Sequence, residues 1–355
     1  MPIWSSLTLE RVGRVEHRRR LAMKRALITG ITGQDGAYLS KLLRDHGYEI
    51  YGTHRPDSGT GTARLRELGT ERDVRLLPLD LRDDAGVRAV IALAQPAEVY
   101  HLASQSSVAA SFEQPLLTAD LNALGTLRLL EALRTLAPAA RLFHASSSEI
   151  FGRGPRPAQD ENTPPHPRSP YAVAKLFAHW STINYRETYG LFACCGLLFN
   201  HESPLRGMQF VTRKICDGVA RIRLGLANEL RLGNLDARRD WGFAGDYVRA
   251  MWLMLQQETA DDYVVASGTS HSVRDFVAAA FGHVGLAWED YVRQDPTLLR
   301  PAEADSQVGD SSKARRVLGW RPTVSFEQLV GLMVDAELAR LRSAESSRAQ
   351  TARTT

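Results

Sequence analysis

Tyr171 and Lys175 stand four residues apart in Ser169-Pro-Tyr-Ala-Val-Ala-Lys175. Ser-Pro is a helix-start signal, and on a helix that spacing puts both side chains on one face. An ammonium held beside a phenol favours the phenolate and lowers the phenol's pKa, which makes tyrosine a base for the proton of an alcohol. The pattern is common by chance, so its context matters. Upstream lies Ala145-Ser-Ser147-Ser-Glu149, with Ser147 falling at the carboxyl end of a predicted strand, where doubly wound folds gather their ligands. Glu149, two beyond Ser147, has two readings. It is a second acid/base, which a reaction needs if it removes a carbon-bound proton and expels a hydroxyl, or it is a loop carboxylate that satisfies backbone amides.

A second set of residues suits a nucleotide. Gly30-Ile-Thr-Gly33-Gln34-Asp35-Gly36 follows the first predicted strand and opens the first helix, where a dinucleotide pyrophosphate can rest on helix N-terminal amides and a side chain would block its approach. The spacing is GxxGxxG, and only the strand–turn–helix context separates it from an ordinary turn. The second strand ends at His54-Arg55, where an acidic residue would bind a ribose 2′-hydroxyl; an arginine suits a 2′-phosphate, favouring NADP over NAD. Asp57 nearby keeps NAD open. Asp80-Leu81 ends the third strand, where Asp80 either meets the adenine edge or caps the helix that starts near Asp83.

The elements that must position these residues alternate along the chain. Short apolar runs at 25–29, 49–53, 74–79, 98–102, 141–145 and 192–198 are separated by helical patterns at 37–46, 83–94, 116–135 and 170–188. This predicts βαβ units in an α/β, doubly wound parallel (Rossmann) sheet. Past Asn200 the regularity breaks, with helices at 211–224 and 244–257 and strands at 229–232 and 262–266. The expected organisation is a nucleotide-binding domain over 24–200 plus about 243–268, and a smaller, discontinuous substrate lobe over about 201–242 plus 269–335.

Composition excludes several classes. With 44% hydrophobic and 24% charged residues the 355-residue chain can bury a large core. A net charge of +4, dispersed, does not suit a nucleic-acid surface. No apolar run has the length of a membrane span. Three cysteines, Cys194, Cys195 and Cys216, lack metal-ligand spacing and read as the reduced, cytoplasmic pattern, with no metal. Residues 1–23 carry a basic cluster with no apolar run after it and read as a disordered extension, with Met23 a candidate initiator. The tail, 339–355, rich in Ser, Thr, Ala and Arg, is expected to be disordered.

A strand-end Ser with YxxxK after a glycine-rich first turn resembles the extended short-chain dehydrogenases. More specific blocks are Ala26–Gly36, Arg168–Lys175, Leu198-Phe-Asn-His-Glu-Ser-Pro204, Phe210-Val-Thr-Arg-Lys214, Gly233-Asn-Leu-Asp236 with Arg239-Asp-Trp-Gly242, and Arg300-Pro-Ala-Glu303 with Gly309-Asp310. Together they resemble the GDP-mannose 4,6-dehydratase family from about residue 24 to 335. The resemblance implies an NADP-dependent lyase in deoxysugar biosynthesis. It implies Glu149 as the base at C5 of the sugar, Tyr171 as the base at the C4 hydroxyl, Lys175 as its partner, and Ser147 in the family's Thr/Ser position. It further implies that Ser106, Asn200 and Arg239 approach the sugar or diphosphate, Val211 and Lys214 the guanine, and His201 the nicotinamide ribose, while Arg300 and Glu303 close on the nucleotide. Departures are Gln105-Ser106-Ser107-Val108, Ser203-Pro-Leu205-Arg206-Gly207, and Pro-Asp-Ser-Gly after Arg55. They leave open a homo-dimer or a homo-tetramer, and GDP-mannose or a GDP-mannoheptose. A nucleotide-sugar epimerase or 4-keto reductase, and a non-catalytic NADP-sensing protein, are the competing readings on this fold.

Overall fold

The computed structural model describes residues 23–56, 61–152, 158–298 and 307–354, the last eight of these by backbone only. The expectations for residues 1–22, Asp57, Arg300 and Glu303 lie outside the described residues.

The first six strands are β1 (Arg25–Thr29), β2 (Glu49–His54), β3 (Val74–Pro78), β4 (Glu98–His101), β5 (Arg141–Ala145) and β6 (Ala193–Leu198). They alternate with α1 (Gln34–Asp45), α2 (Ala63–Glu67), α3 (Asp84–Ala94), α4 (Val108–Glu113), α5 (Pro115–Ala119), α6 (Gly125–Leu136) and α7 (Pro170–Tyr189). Beyond them run β7 (Asn200–Glu202), α8 (Val211–Arg223), β8 (Leu230–Leu232), β9 (Arg238–Phe243), α9 (Ala244–Leu255), β10 (Tyr263–Val265), β11 (Ser270–Ser272), α10 (Val273–His283), β12 (Val292–Gln294), α11 (Ser312–Leu318) and α12 (Phe326–Thr354). Seven strands form one sheet in the order β10-β6-β5-β4-β1-β2-β3, and every pair in it is parallel. This is the doubly wound sheet that the alternation predicts.

Strands buried on both faces read as continuous apolar runs, because crossover helices cover both sides of a parallel sheet. Ala26, Ile28, Tyr100 and Phe143 face Leu39 and Leu43 of α1 and Met251 and Met254 of α9. The alternate residues Leu27, Val99 and Leu142 face α3 and α6. A separate core joins α8, β9, α10 and α12 through Ile215, Trp241, Phe276 and Met333. Among the described residues no helix is long and apolar enough to cross a membrane, and no cluster of His, Cys, Asp and Glu could hold a metal.

Two expectations need correction. The pattern at 116–135 predicts one regular helix, whereas α5 and α6 are joined by a π-helical turn, Asp120–Leu124. There the Asn122 side chain holds the backbone N–H and C=O of Gln105 at 2.8 and 2.9 Å. The tail from Ala339 is also helical, continuing α12. Ala, Leu, Arg and Glu are strong helix formers, and Leu338 and Leu341 extend the stripe that packs on the third core.

Candidate active site

One cleft of about 740 Å³ crosses the carboxyl ends of the strands, and every candidate site residue among the described ones lines it. Its floor begins at the glycine turn. Gly30 has φ +72°, and a Cβ there would lie 2.8 Å from the Cα of Ala103; only glycine can bring β1 this close to the β4 loop. A Cβ on Gly36 would meet the Ile31 backbone at 2.5 Å. Gly33 is the N-cap of α1 and offers no side-chain cap, so the first-turn amides are left to a ligand, and their dipole favours an anion. These features fit a dinucleotide pyrophosphate. Arg55 is exposed at the rim, immediately after β2, and Leu81 forms part of the same wall. Asp80 accepts from the Arg82 guanidinium at 2.5 Å and from its backbone N–H at 2.9 Å, contacts that hold its pKa below the usual value. It does not cap α3, whose N-cap is Asp83.

Buried Gln34 with partly buried Asp35 and His201 forms a staple between this turn and β7. His201 Nε2 lies 2.9 Å from Asp35 Oδ2, and Nδ1 lies 2.7 Å from the Phe199 carbonyl. Both ring nitrogens face acceptors, so the imidazolium form satisfies both. Burial opposes that charge, yet the Asp35 carboxylate outweighs it, raising the His201 pKa and lowering that of Asp35. Gln34 donates to the His201 carbonyl at 3.1 Å and accepts from Ser203 Oγ at 2.7 Å. The resemblance implies that His201 reaches a ribose; it lines the cleft, with its ring nitrogens held by Asp35 and the Phe199 carbonyl.

The acid/base groups come from two elements. Ser169 caps α7, its side chain accepting from the Ala172 N–H at 3.1 Å, and Pro170 occupies the first turn; this places Tyr171 and Lys175 on the face toward β5. Ser147 follows β5 and caps a short 3₁₀ turn, Ser148–Phe151, its Oγ accepting from the Glu149 N–H at 3.2 Å. That turn carries Glu149, half-buried, into the cleft.

Electrostatics here depart from expectation. Lys175 donates to the Ala145 carbonyl at 2.9 Å and lies 5.9 Å from the centre of the Tyr171 ring. Burial dominates both groups: it pushes Tyr171 up to about 12, against a hydrogen bond from Ser147 that lowers it, and Lys175 down to about 8. The lysine alone therefore does not make a phenolate at neutral pH. A further positive charge facing the phenol is needed.

On the far side, Asn200 stands on β7, Val211 and Lys214 open α8, and Arg239 lies on β9, beside Ser106 from the β4 loop. The three-stranded sheet β11-β9-β7 brings Asn200 and Arg239 together, with Asn200 opposite Trp241 in register. Arg64 and Arg206 also line the cleft, and the sequence reading missed both as site residues. Arg64 on α2 donates to the Thr32 carbonyl at 3.0 Å and the Leu205 carbonyl at 2.8 Å. Arg206 pairs with buried Glu202 at 3.0 Å and lies over the Phe210 ring. No local signal marks Arg64, because its place depends on how α2 folds back over the glycine turn. Arg206 lies inside a block that was read, and its charge was the available signal.

The fold and the Ser147, Glu149, Tyr171 and Lys175 set at the strand ends define an enzyme of the extended short-chain dehydrogenase/reductase class. The family model described as GDP-mannose 4,6 dehydratase matches residues 27–333. GDP-mannose 4,6 dehydratase 2 of Arabidopsis thaliana is 54% identical over 325 residues, covering 89% of this chain and 87% of its own length. Among solved structures, the UDP-glucose 4-epimerase of Thermus thermophilus in complex with NAD has a TM-score of 0.77 at 30% identity, over 88% of this chain and 98% of that one. RMD from Pseudomonas aeruginosa, complexed with NADPH, has a TM-score of 0.74 at 27% identity, over 89% and 100%. The chain belongs to the GDP-mannose 4,6-dehydratase family.

Proposed function

We propose that the chain converts GDP-mannose to GDP-4-keto-6-deoxymannose, with NADP bound along the glycine turn and Arg55 and the GDP-sugar entering from the smaller lobe. The single observation that carries this reading is that Glu149 shares one cleft with Tyr171, Lys175 and the glycine turn. An epimerase or reductase needs no such third group. NADP, held along the glycine turn and Arg55, would supply reversible hydride chemistry between C4 and C6 and, in its oxidised form, the additional positive charge for the Tyr171 phenol.

The chain's own groups do the rest. Tyr171 takes the C4 hydroxyl proton, with Ser147 hydrogen-bonded to its oxygen. The C4 ketone acidifies the neighbouring C5 hydrogen, and Glu149 removes it. The same carboxyl then protonates the C6 hydroxyl as it leaves as water. With C6 reduced, C5 takes up one proton from solvent, which balances the proton that Tyr171 removed from the C4 hydroxyl and releases. Asn200, Lys214 and Arg239 supply donors for the sugar and diphosphate, Ser106 lies against the sugar, Val211 against the guanine, and Asp80 against the adenine.

We further propose a cytoplasmic homo-oligomer, since α4, α5 and α7 expose Phe112, Leu116, Val173, Phe177 and Trp180 on the outer surface, an apolar patch of the kind that marks association. The deciding test mixes the protein, NADP and GDP-mannose deuterated at C4, without added oxidant. The expected product has lost one water and carries the deuterium at C6. Deuterium retained at C4, or no loss of water, sinks the reading.

A further inference from the structure

Glu149 rides on a turn that holds itself weakly. Its internal bonds are the 3.2 Å contacts Ile150 N to Ser147 O, Gly152 N to Glu149 O and Glu149 N to Ser147 Oγ, and 3₁₀ hydrogen bonds are poorly aligned; from outside the turn the His166 N–H donates to the Ile150 carbonyl at 2.9 Å. A carboxylate that must meet a carbon-bound proton needs tighter control, since a displacement of about 1 Å can cost on the order of a hundredfold in rate.

Besides the His166 contact, one buried side chain adds to that control from outside the turn: Gln307, which is 1% exposed. Its Nε2 donates to the carbonyls of Ser148 and Gly152, each at 3.4 Å, and its Oε1 accepts from Ser148 Oγ at 3.3 Å. One amide thus grips the backbone on both sides of Glu149. Gln307 is itself held by its chain neighbours. Gln159 N donates to the Val308 carbonyl at 2.8 Å, and Asp310 N to the Gln159 carbonyl at 2.8 Å. Gly309 N donates to Asp240 at 3.2 Å. Asp240 on β9, fully buried, also accepts from Ser267 N and Gly268 N at 2.8 and 2.9 Å, and its neighbour Arg239 lines the cleft.

We propose that Gln307 is a positioning residue for Glu149, fixing the turn against β9 so that C5 proton removal is set independently of the C4 oxidation performed from α7. The two acid/base groups then have separate supports: Tyr171 and Lys175 depend on α7 and on the Ala145 carbonyl, and Glu149 depends on its own turn, which the Gln307 amide and the His166 N–H hold from outside. This deepens the dehydratase reading and rests on it.

The test uses the full chain with NADP, GDP-mannose and its C5-deuterated form. Gln307→Met keeps length and volume and removes both donor and acceptor. Rapid mixing, followed by the absorbance of reduced cofactor, should show C4 oxidation within about twofold of the parent, while water loss falls roughly ten- to a hundredfold. The primary isotope effect on C5 should rise, because proton removal becomes limiting. A merely structural role would slow oxidation and elimination by the same factor and leave the isotope effect unchanged; that result, or unchanged water loss, overturns the proposal. Should Gln307→Met not fold, Ser148→Ala removes one bond of the grip and must show the same split at smaller amplitude, and no split there overturns it equally. If the parent itself loses no water from GDP-mannose, the dehydratase reading has failed, not the role of Gln307.

Discussion

At the scale of single residues the site divides its work between groups that can be removed one at a time. Glu149→Gln keeps size and loses the base, so C4 oxidation should persist while water loss falls by about 10² to 10⁴, read as accumulated reduced cofactor at constant protein. Arg55→Ala should weaken NADP about ten- to a hundredfold, as expected for a lost charge-assisted contact worth ~1.5–3 kcal/mol, and leave NAD affinity unaltered; equal losses for both in a binding titration would remove Arg55 from the cofactor site. Burial sets the Lys175 pKa at about 8, down from its usual 10.5. The ammonium is therefore present below that value and lost as pH rises through it. The rate should show an alkaline limb near the same pH, and the residual activity of Lys175→Arg, whose charge does not titrate, should lack that limb in a kcat/KM profile.

Elements explain which parts of the site were legible in the sequence. The glycine turn, Tyr171 with Lys175, and Ser147 with Glu149 are announced locally by turn chemistry, a Ser-Pro helix start and a strand end, although distant groups then hold each in place. Gln307, Asp240 and Arg64 are different, for each acts through backbone groups distant in the chain, such as Ser148 for Gln307 at a separation of 159. Nothing in their neighbours announces that. The upward pull of burial on Tyr171 was not legible for a related reason, because burial is a tertiary quantity that spacing does not report. Misreading the tail as disordered weighed Ser and Thr content above the Leu stripe. Helix α12 is consequently a support: Arg340 bonds Glu67 on α2 at 2.6 Å, the Pro204 carbonyl at 2.7 Å and Glu337 at 2.8 Å. Arg340→Ala should lower stability by about 1–2 kcal/mol and also weaken NADP, since α2 carries Arg64 over the glycine turn. Thermal melts with and without NADP measure both, and an unchanged cofactor affinity would confine Arg340 to a stabilising role.

For the whole molecule, the apolar face on α4, α5 and α7 is the feature a lone chain leaves unexplained. Leu116 is 85% exposed and Trp180 56%. Trp180→Glu places a charge in that patch and should shift the assembly to a smaller species in sedimentation, without altering the cleft; an unchanged mass would remove α7 from the contact. Connectivity across the molecule has a consequence for biosynthesis. Glu67 and Arg340, 273 positions apart, together add a tie to the helix beside the first glycine turn. The nucleotide fold begins to form early on the ribosome, yet its closing contact waits for a residue translated much later, and parallel sheets with such distant pairings are slow to complete. A nascent chain therefore exposes a half-built phosphate cradle for most of its synthesis, and high-affinity cofactor capture should follow, rather than guide, the emergence of α12.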